Sequence, residues 1–115
     1  VGSQDSGILF PNIDPGMIVT GFLFECDVRA GNGSTDRPAD GFSISFARDG
    51  DPVLQAFANG ALGGWANNGA AEFGSRTGIS ISFDTWSGNA LTDGPDIEGI
   101  IVRLDDVTIL RQGLP

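Results

Sequence analysis

Histidine, lysine and tyrosine are absent from this chain, and cysteine occurs once. Without histidine, a Ser-His-Asp triad, a Cys-His pair and every His-ligated zinc or haem site are excluded. Cys26 is alone, so it closes no intrachain disulfide and builds no cysteine zinc site. It falls in the apolar set Phe22, Phe24, Cys26, Val28, which predicts a buried small hydrophobe rather than a reactive thiol. Long apolar runs are missing too. None approaches the roughly 20 residues that span a bilayer, so a soluble chain without membrane insertion is expected. No signal peptide is visible, and the start at Val1 reads as that of a processed or excised piece.

Positive charge is scarce. Six arginines stand against 15 acidic residues, a net charge of −9. Nucleic acid and anionic membranes both require a positive surface, so neither is expected as a partner. An acidic surface suits cations, neutral saccharides or basic proteins. With 40% hydrophobic residues, this charge does not imply disorder, and 115 residues suit one domain with one core, residues 1–115.

What is abundant is glycine. Eighteen glycines and six prolines cut the chain into short segments, none with sustained helical spacing. β-Branched and aromatic residues gather in runs bounded by turns, which predicts an all-β chain. Residues 7–10 read as a short strand stopped by Pro11, and 12–16 as a turn. Residues 17–29 form the longest strand candidate, with Phe22, Phe24, Cys26 and Val28 on one side. Residues 30–40 are a polar loop containing Asn32-Gly33-Ser34, a glycosylation acceptor if the source cell glycosylates. In 41–47 Phe42, Ile44 and Phe46 alternate inward with Ser43 and Ser45 outward. Residues 48–52 turn the chain, and 53–77 are the least regular part. The glycine run 59–65 ends in no Lys-Ser/Thr and lies in no βαβ unit, so it cradles no phosphate. Residues 98–104 alternate again, and Asp105-Asp106 turn the chain into 107–110 as a hairpin.

The richest stretch is 78–86. Ile79, Ile81 and Phe83 face a core while Ser80, Ser82 and Asp84 face the other way, and the strand stops on Asp84 and Trp86. A loop follows that supplies Asn89, Asp93 and Asp96. A strand end that hands carboxylates to a loop collects oxygen ligands for calcium or polar groups for a sugar, and ordinary turn-forming Asp and Asn give the same pattern. The Ser-Ser outward sets describe a face of little bulk, which suits a concave binding sheet, close packing against another layer, or a solvated sheet.

Ala39-Asp40-Gly41-Phe42 before a strand, the pair Gly63-Gly64, the Phe83-Asp84-Thr85-Trp86 strand end and Gly99-Ile100 opening a strand resemble, in order and spacing, the L-type lectins. These belong to the concanavalin A-like lectin/glucanase superfamily, and the likeness to lectin-like modules of bacterial secreted and surface proteins covers about residues 7–110. The resemblance implies an antiparallel jelly-roll-like β-sandwich and an extracellular or cell-surface setting. It implies that Asp40 and a backbone amide of Gly63 or Gly64 bind sugar, joined by Asn89. It further implies that Asp84, the carbonyl of Trp86, Asn89 and Asp93 ligate calcium.

This chain departs from the family where the family holds a transition metal. Ser82 stands where the legume pattern has Glu, and the histidine before the Ile-Gly-Ile strand is missing, so no transition metal is expected. Asn89 comes one position late, and 93–99 is one residue short. The superfamily's glucanases carry Glu, Asp and Glu on alternate positions of one strand. Here those positions are Ser82, Asp84 and Trp86, a single carboxylate where hydrolysis needs two, so no catalysis is expected. L-type domains usually run well beyond this length, so the chain looks like a partial or minimal domain. Its exposed sheet edges then call for cover, most simply by another copy in a homo-oligomer.

Three functions are weighed. A carbohydrate-binding module uses Asp40 and Asn89 as hydrogen-bonding groups, with Trp65 or Trp86 stacked on a sugar face, although both tryptophans also suit a partly buried core. A glycoside hydrolase lacks its second carboxylate. A structural or self-assembling extracellular β-sandwich keeps the fold without sugar. The expectation is a non-catalytic, lectin-like module that binds carbohydrate, with calcium assisting and the structural module as the alternative.

Overall fold

The computed structural model describes residues 7–12, 15–29, 41–60, 70–86 and 97–114. Four strands form one antiparallel sheet: β1 (Gly41–Phe46), β2 (Ile79–Asp84), β3 (Gly99–Leu104) and β4 (Val107–Gly113). They lie in sequence order, each paired with the next. Two short helices, α1 (Pro52–Ala58) and α2 (Ala70–Phe73), occupy the connection between β1 and β2.

Alternation in the sequence places the strands, and the register follows from matching like with like. Phe42 sits opposite Phe83, Ile44 opposite Ile81, and Ile81 opposite Val102. The Phe42 and Phe83 rings stack with centroids 4.6 Å apart. β3 and β4 close through Asp105 and Asp106, both at positive φ (49° and 64°), as a two-residue hairpin turn of the primed kind demands. A bulge between Val102 and Arg103 absorbs the register shift in this ribbon. The predicted hairpin is therefore present.

The turn is anchored to its neighbours. Gly78 N–H donates to Asp105 Oδ1 at 2.8 Å and Asp105 N–H to the Gly78 carbonyl at 2.8 Å, extending the β2–β3 pairing to the tip. Arg48 bridges Asp105 at 2.7 Å, and Arg76 Nη1 donates to both carboxylate oxygens of Asp106. The Arg48 hydrogen bond, followed by that from Gly78, holds the Asp105 carboxyl below its ordinary value. These pairs are exposed and fix geometry more than they add stability.

Burial reverses the sequence reading. Ser80, Ser82 and Asp84 were expected to face outward, and they are the buried side of β2. Ile79, Ile81 and Phe83 are only half-buried. The reason is that α2 and the residues after it lie flat on the serine face, which is smooth enough for a main chain to approach. Among the described residues Ile101 is the one large hydrophobe fully buried, and it belongs to this serine side.

Three further expectations are corrected. Residues 7–10 and 17–29 form no strand: they find no ladder partner, and alternation without a partner cannot satisfy the backbone groups of a strand. Cys26 lies in this irregular segment and is exposed rather than buried. The stretch 53–77, read as irregular and free of helix, contains α1 and α2. Asp51 caps α1, its Oδ1 accepting from the amides of Val53 (2.9 Å) and Leu54 (3.3 Å), with Pro52 at the first helical position. The antiparallel sheet bears out an all-β chain.

Candidate functional site

The register ranks the buried face of the sheet into three rows. The first runs Gly41, Asp84, Gly99, Gly113 across β1 to β4; the second Ser43, Ser82, Ile101, Arg111; the third Ser45, Ser80, Arg103, Thr108. The first row holds one carboxylate with glycine on both neighbouring strands. A Cβ on Gly41 would strike the Phe83 carbonyl, and one on Gly99 the Gln112 carbonyl. Asp84 thus ends β2 in a lane without flanking side chains.

Asp84 is 1% exposed. Its Oδ1 accepts the Trp86 amide at 2.9 Å, an Asx-type turn that ends the strand and orients the carboxylate. The Trp86 ring is partly exposed. The other predicted sugar and metal residues, Asp40, Gly63, Gly64, Asn89 and Asp93, lie outside the described residues. What the register does establish is where their segments attach. Asp40 precedes Gly41, Asn89 and Asp93 lie in the connection from β2 to β3, and Gly41, Asp84 and Gly99 sit side by side. Among the described residues no three His, Cys, Asp or Glu side chains converge as a metal cluster.

The second and third rows bind protein instead. The Ser80 hydroxyl donates to the Phe73 carbonyl at 2.7 Å, and the Ser82 hydroxyl to the same oxygen at 3.4 Å. Arg103 Nη1 donates to Ser82 Oγ at 3.1 Å and reaches that carbonyl at 3.5 Å. Its guanidinium lies 4.9 Å from the centroid of the Phe73 ring. Ser45 donates to Ser80 at 3.1 Å and accepts the Ser75 amide at 3.1 Å. Ser82 is thus part of the seat for residues 73–75.

The strap is completed by Asp51, which the sequence places in the 48–52 turn without a helix to cap. Oδ2 accepts the amides of Arg76 (3.0 Å) and Thr77 (2.7 Å) and the Thr77 hydroxyl (2.7 Å). With its two helix-cap bonds, one buried carboxylate satisfies five donors. Burial pushes its pKa up. The Thr77 hydroxyl, then the amides of Thr77, Leu54 and Val53, outweigh that and hold the carboxyl below its ordinary value. The Asp-Pro pair carried the signal, being a helix cap followed by the residue most at home in the first turn.

No family model matches this chain, and neither a curated protein nor a solved structure gives a match. The first row remains the place where the candidate residues meet the fold. The strap over the second and third rows takes the middle of the serine face out of contention for a ligand.

Proposed function

We propose that this chain is a non-catalytic, lectin-like carbohydrate-binding module acting outside the cell, with a calcium ion assisting at Asp84. The carrying observation is the side-by-side register of Gly41, Asp84 and Gly99. It brings the residue after Asp40 and both ends of the segment holding Asn89 and Asp93 to one end of the sheet. A carboxylate in a glycine lane, with one oxygen fixed by a main-chain amide, supports a role as an oriented oxygen ligand. Calcium, where bound, supplies a hard cation that orders the loop and polarises sugar hydroxyls.

The alternative is a structural or self-assembling module without sugar binding. One observation favours it: the serine face, the surface a concave binding sheet would use, is buried under residues 72–75. In the first reading the sugar site is confined to the sheet end. In the second there is none.

A glycan-array screen in calcium and again in EDTA separates the readings, with Asp40→Asn and Asp84→Asn alongside. Calcium-dependent binding is expected, weakened at least about tenfold by Asp40→Asn, the cost of one hydrogen bond to a charged group. The amide oxygen of Asp84→Asn can still accept the Trp86 N–H, so the variant removes the carboxylate charge while keeping that bond. Binding that survives EDTA removes calcium from the proposal, and silence on the array under both conditions leaves the structural module.

A further inference from the structure

We propose that the apolar face of the sheet is the interface with a second copy of this chain. Its central row, Ile44, Ile81, Val102 and Leu110, crosses all four strands without a break. The first three are half-buried and Leu110 is 50% exposed, while on the opposite face the β2 and β3 positions Ser80, Ser82, Ile101 and Arg103 are buried. A sheet whose hydrophobic side is the wetter one is not at its free-energy minimum as an isolated layer, because apolar area is what burial rewards.

Charge selects the occupant. The chain carries −9, so two copies repel wherever acidic residues oppose one another. This face is the exception. The rows flanking the central one are Phe42, Phe83, Ile100, Gln112 and Phe46, Ile79, Leu104, Val107, so none of its positions is charged. The acidic residues at the nearby turn, Asp105 and Asp106, are paired to Arg48 and Arg76. The sheet positions of this face, among the described residues, therefore bring no like charges together when two copies stack.

Dimensions select it as well. Four strands spaced about 4.8 Å and six residues rising about 3.3 Å each give a face of roughly 19 by 20 Å. The chain's own segment 17–29 reaches it through Phe22, whose ring stacks on Phe46 at 4.4 Å. That contact is made at Phe46, in an outer row of the face. A second sheet covers all of it, at the spacing of about 10 Å seen between packed sheets, and a two-fold axis makes the two faces self-complementary. About 400 Å² of plane per copy, enlarged by protruding side chains and by Phe22, lies in the size range of weak, transient interfaces. This interface is independent of the sugar reading, since it uses the opposite face from Asp84.

Sedimentation velocity of the intact chain from about 1 to about 100 μM is the test. The expected result is a mass rising from 11.9 kDa toward twice that value. Val102→Arg is expected to remain at the single-chain mass throughout, with its far-UV circular dichroism unchanged. Carbene footprinting of the wild type over the same range gives the second readout, with labelling of peptides containing Ile44, Ile81, Val102 and Leu110 falling severalfold as concentration rises. A single-chain mass at every concentration overturns the proposal, whether the face is then labelled or covered by segment 17–29. A dimer that leaves those peptides fully labelled overturns it too, and points to pairing at the edges of β1 or β4. If Val102→Arg fails to fold, the footprint decides alone.

Discussion

Replacing Asp51 by alanine is expected to destabilise the chain by about 4 kcal/mol and to lower its melting temperature by roughly 15 °C. The change removes a helix cap, worth about 1 kcal/mol. It also strands the amides of Arg76 and Thr77 and the Thr77 hydroxyl, donors that lose a charged acceptor at about 1 to 3 kcal/mol each, with sums that fall short of additive. Exposed Asp49, two residues earlier, serves as the control, and Asp49→Ala should move stability by less than about 0.5 kcal/mol. The carboxylate also writes a pH signature. Its folded pKa is depressed below the ordinary 3.8, so its contribution is complete above that value and is lost as pH falls through the folded value. Urea titrations at stepped pH should therefore show the wild type losing stability below about pH 4 more steeply than Asp51→Asn. Parallel curves for the two proteins would remove Asp51 from the acid response.

The second large effect is expected at Gly74. Gly74 has φ 78°, and a Cβ there would fall on the hydroxyls of Ser45 and Ser80 and lie 3.0 Å from that of Ser43. Those hydroxyls are not free to rotate away: Ser80 holds the Phe73 carbonyl, and Ser45 links Ser80 to the Ser75 amide. Gly74→Ala therefore combines about 1 kcal/mol of left-handed backbone strain with the loss of strap bonds, for a total near 3 kcal/mol. Removing the obstruction tests the cause. In the double variant Gly74→Ala with Ser45→Gly, the loss should be smaller than the sum of the two single losses by about 1 kcal/mol. A strictly additive cycle, measured by denaturant unfolding, would show that the strap does not rest on Ser45.

How much of this could be read beforehand depended on what each signal encodes. Alternation encodes strand faces, so β1 to β3 emerged close to their true bounds, and β4 extended three residues past its expected end. Alternation does not encode which face is covered. Ser80 and Ser82 read as outward because serine is usually wet, yet here small hydroxyls are what let a main chain lie on the sheet. Arg103 shares that face, and it is buried because it has Ser82, the Phe73 carbonyl and the Phe73 ring to occupy its charge and its plane. Residues 17–29 carry the same alternation as β2 and remain irregular, because a strand is a property of two partners and the sequence shows only one. At the candidate site the strand end at Asp84 was legible from the chain, and its glycine neighbours were not. Gly41 and Gly99 are far apart in sequence and meet Asp84 only through the register.

The connections between the strands impose an order in time. β3 and β4 are joined by two residues, whereas β1 and β2 are joined by everything from Ala47 to Gly78. A tight hairpin closes in microseconds, while a long connection pays a larger closure entropy before any contact repays it. Asp51 and Thr77 are where that long connection is clipped shut, so their bond is expected to form late in assembly. A late bond governs how long the native state persists rather than how quickly it is reached. Stopped-flow measurements on Asp51→Ala should accordingly find most of the lost stability in faster unfolding, with the refolding rate little changed. The lifetime of the fold is then held by a residue that lies outside the sheet.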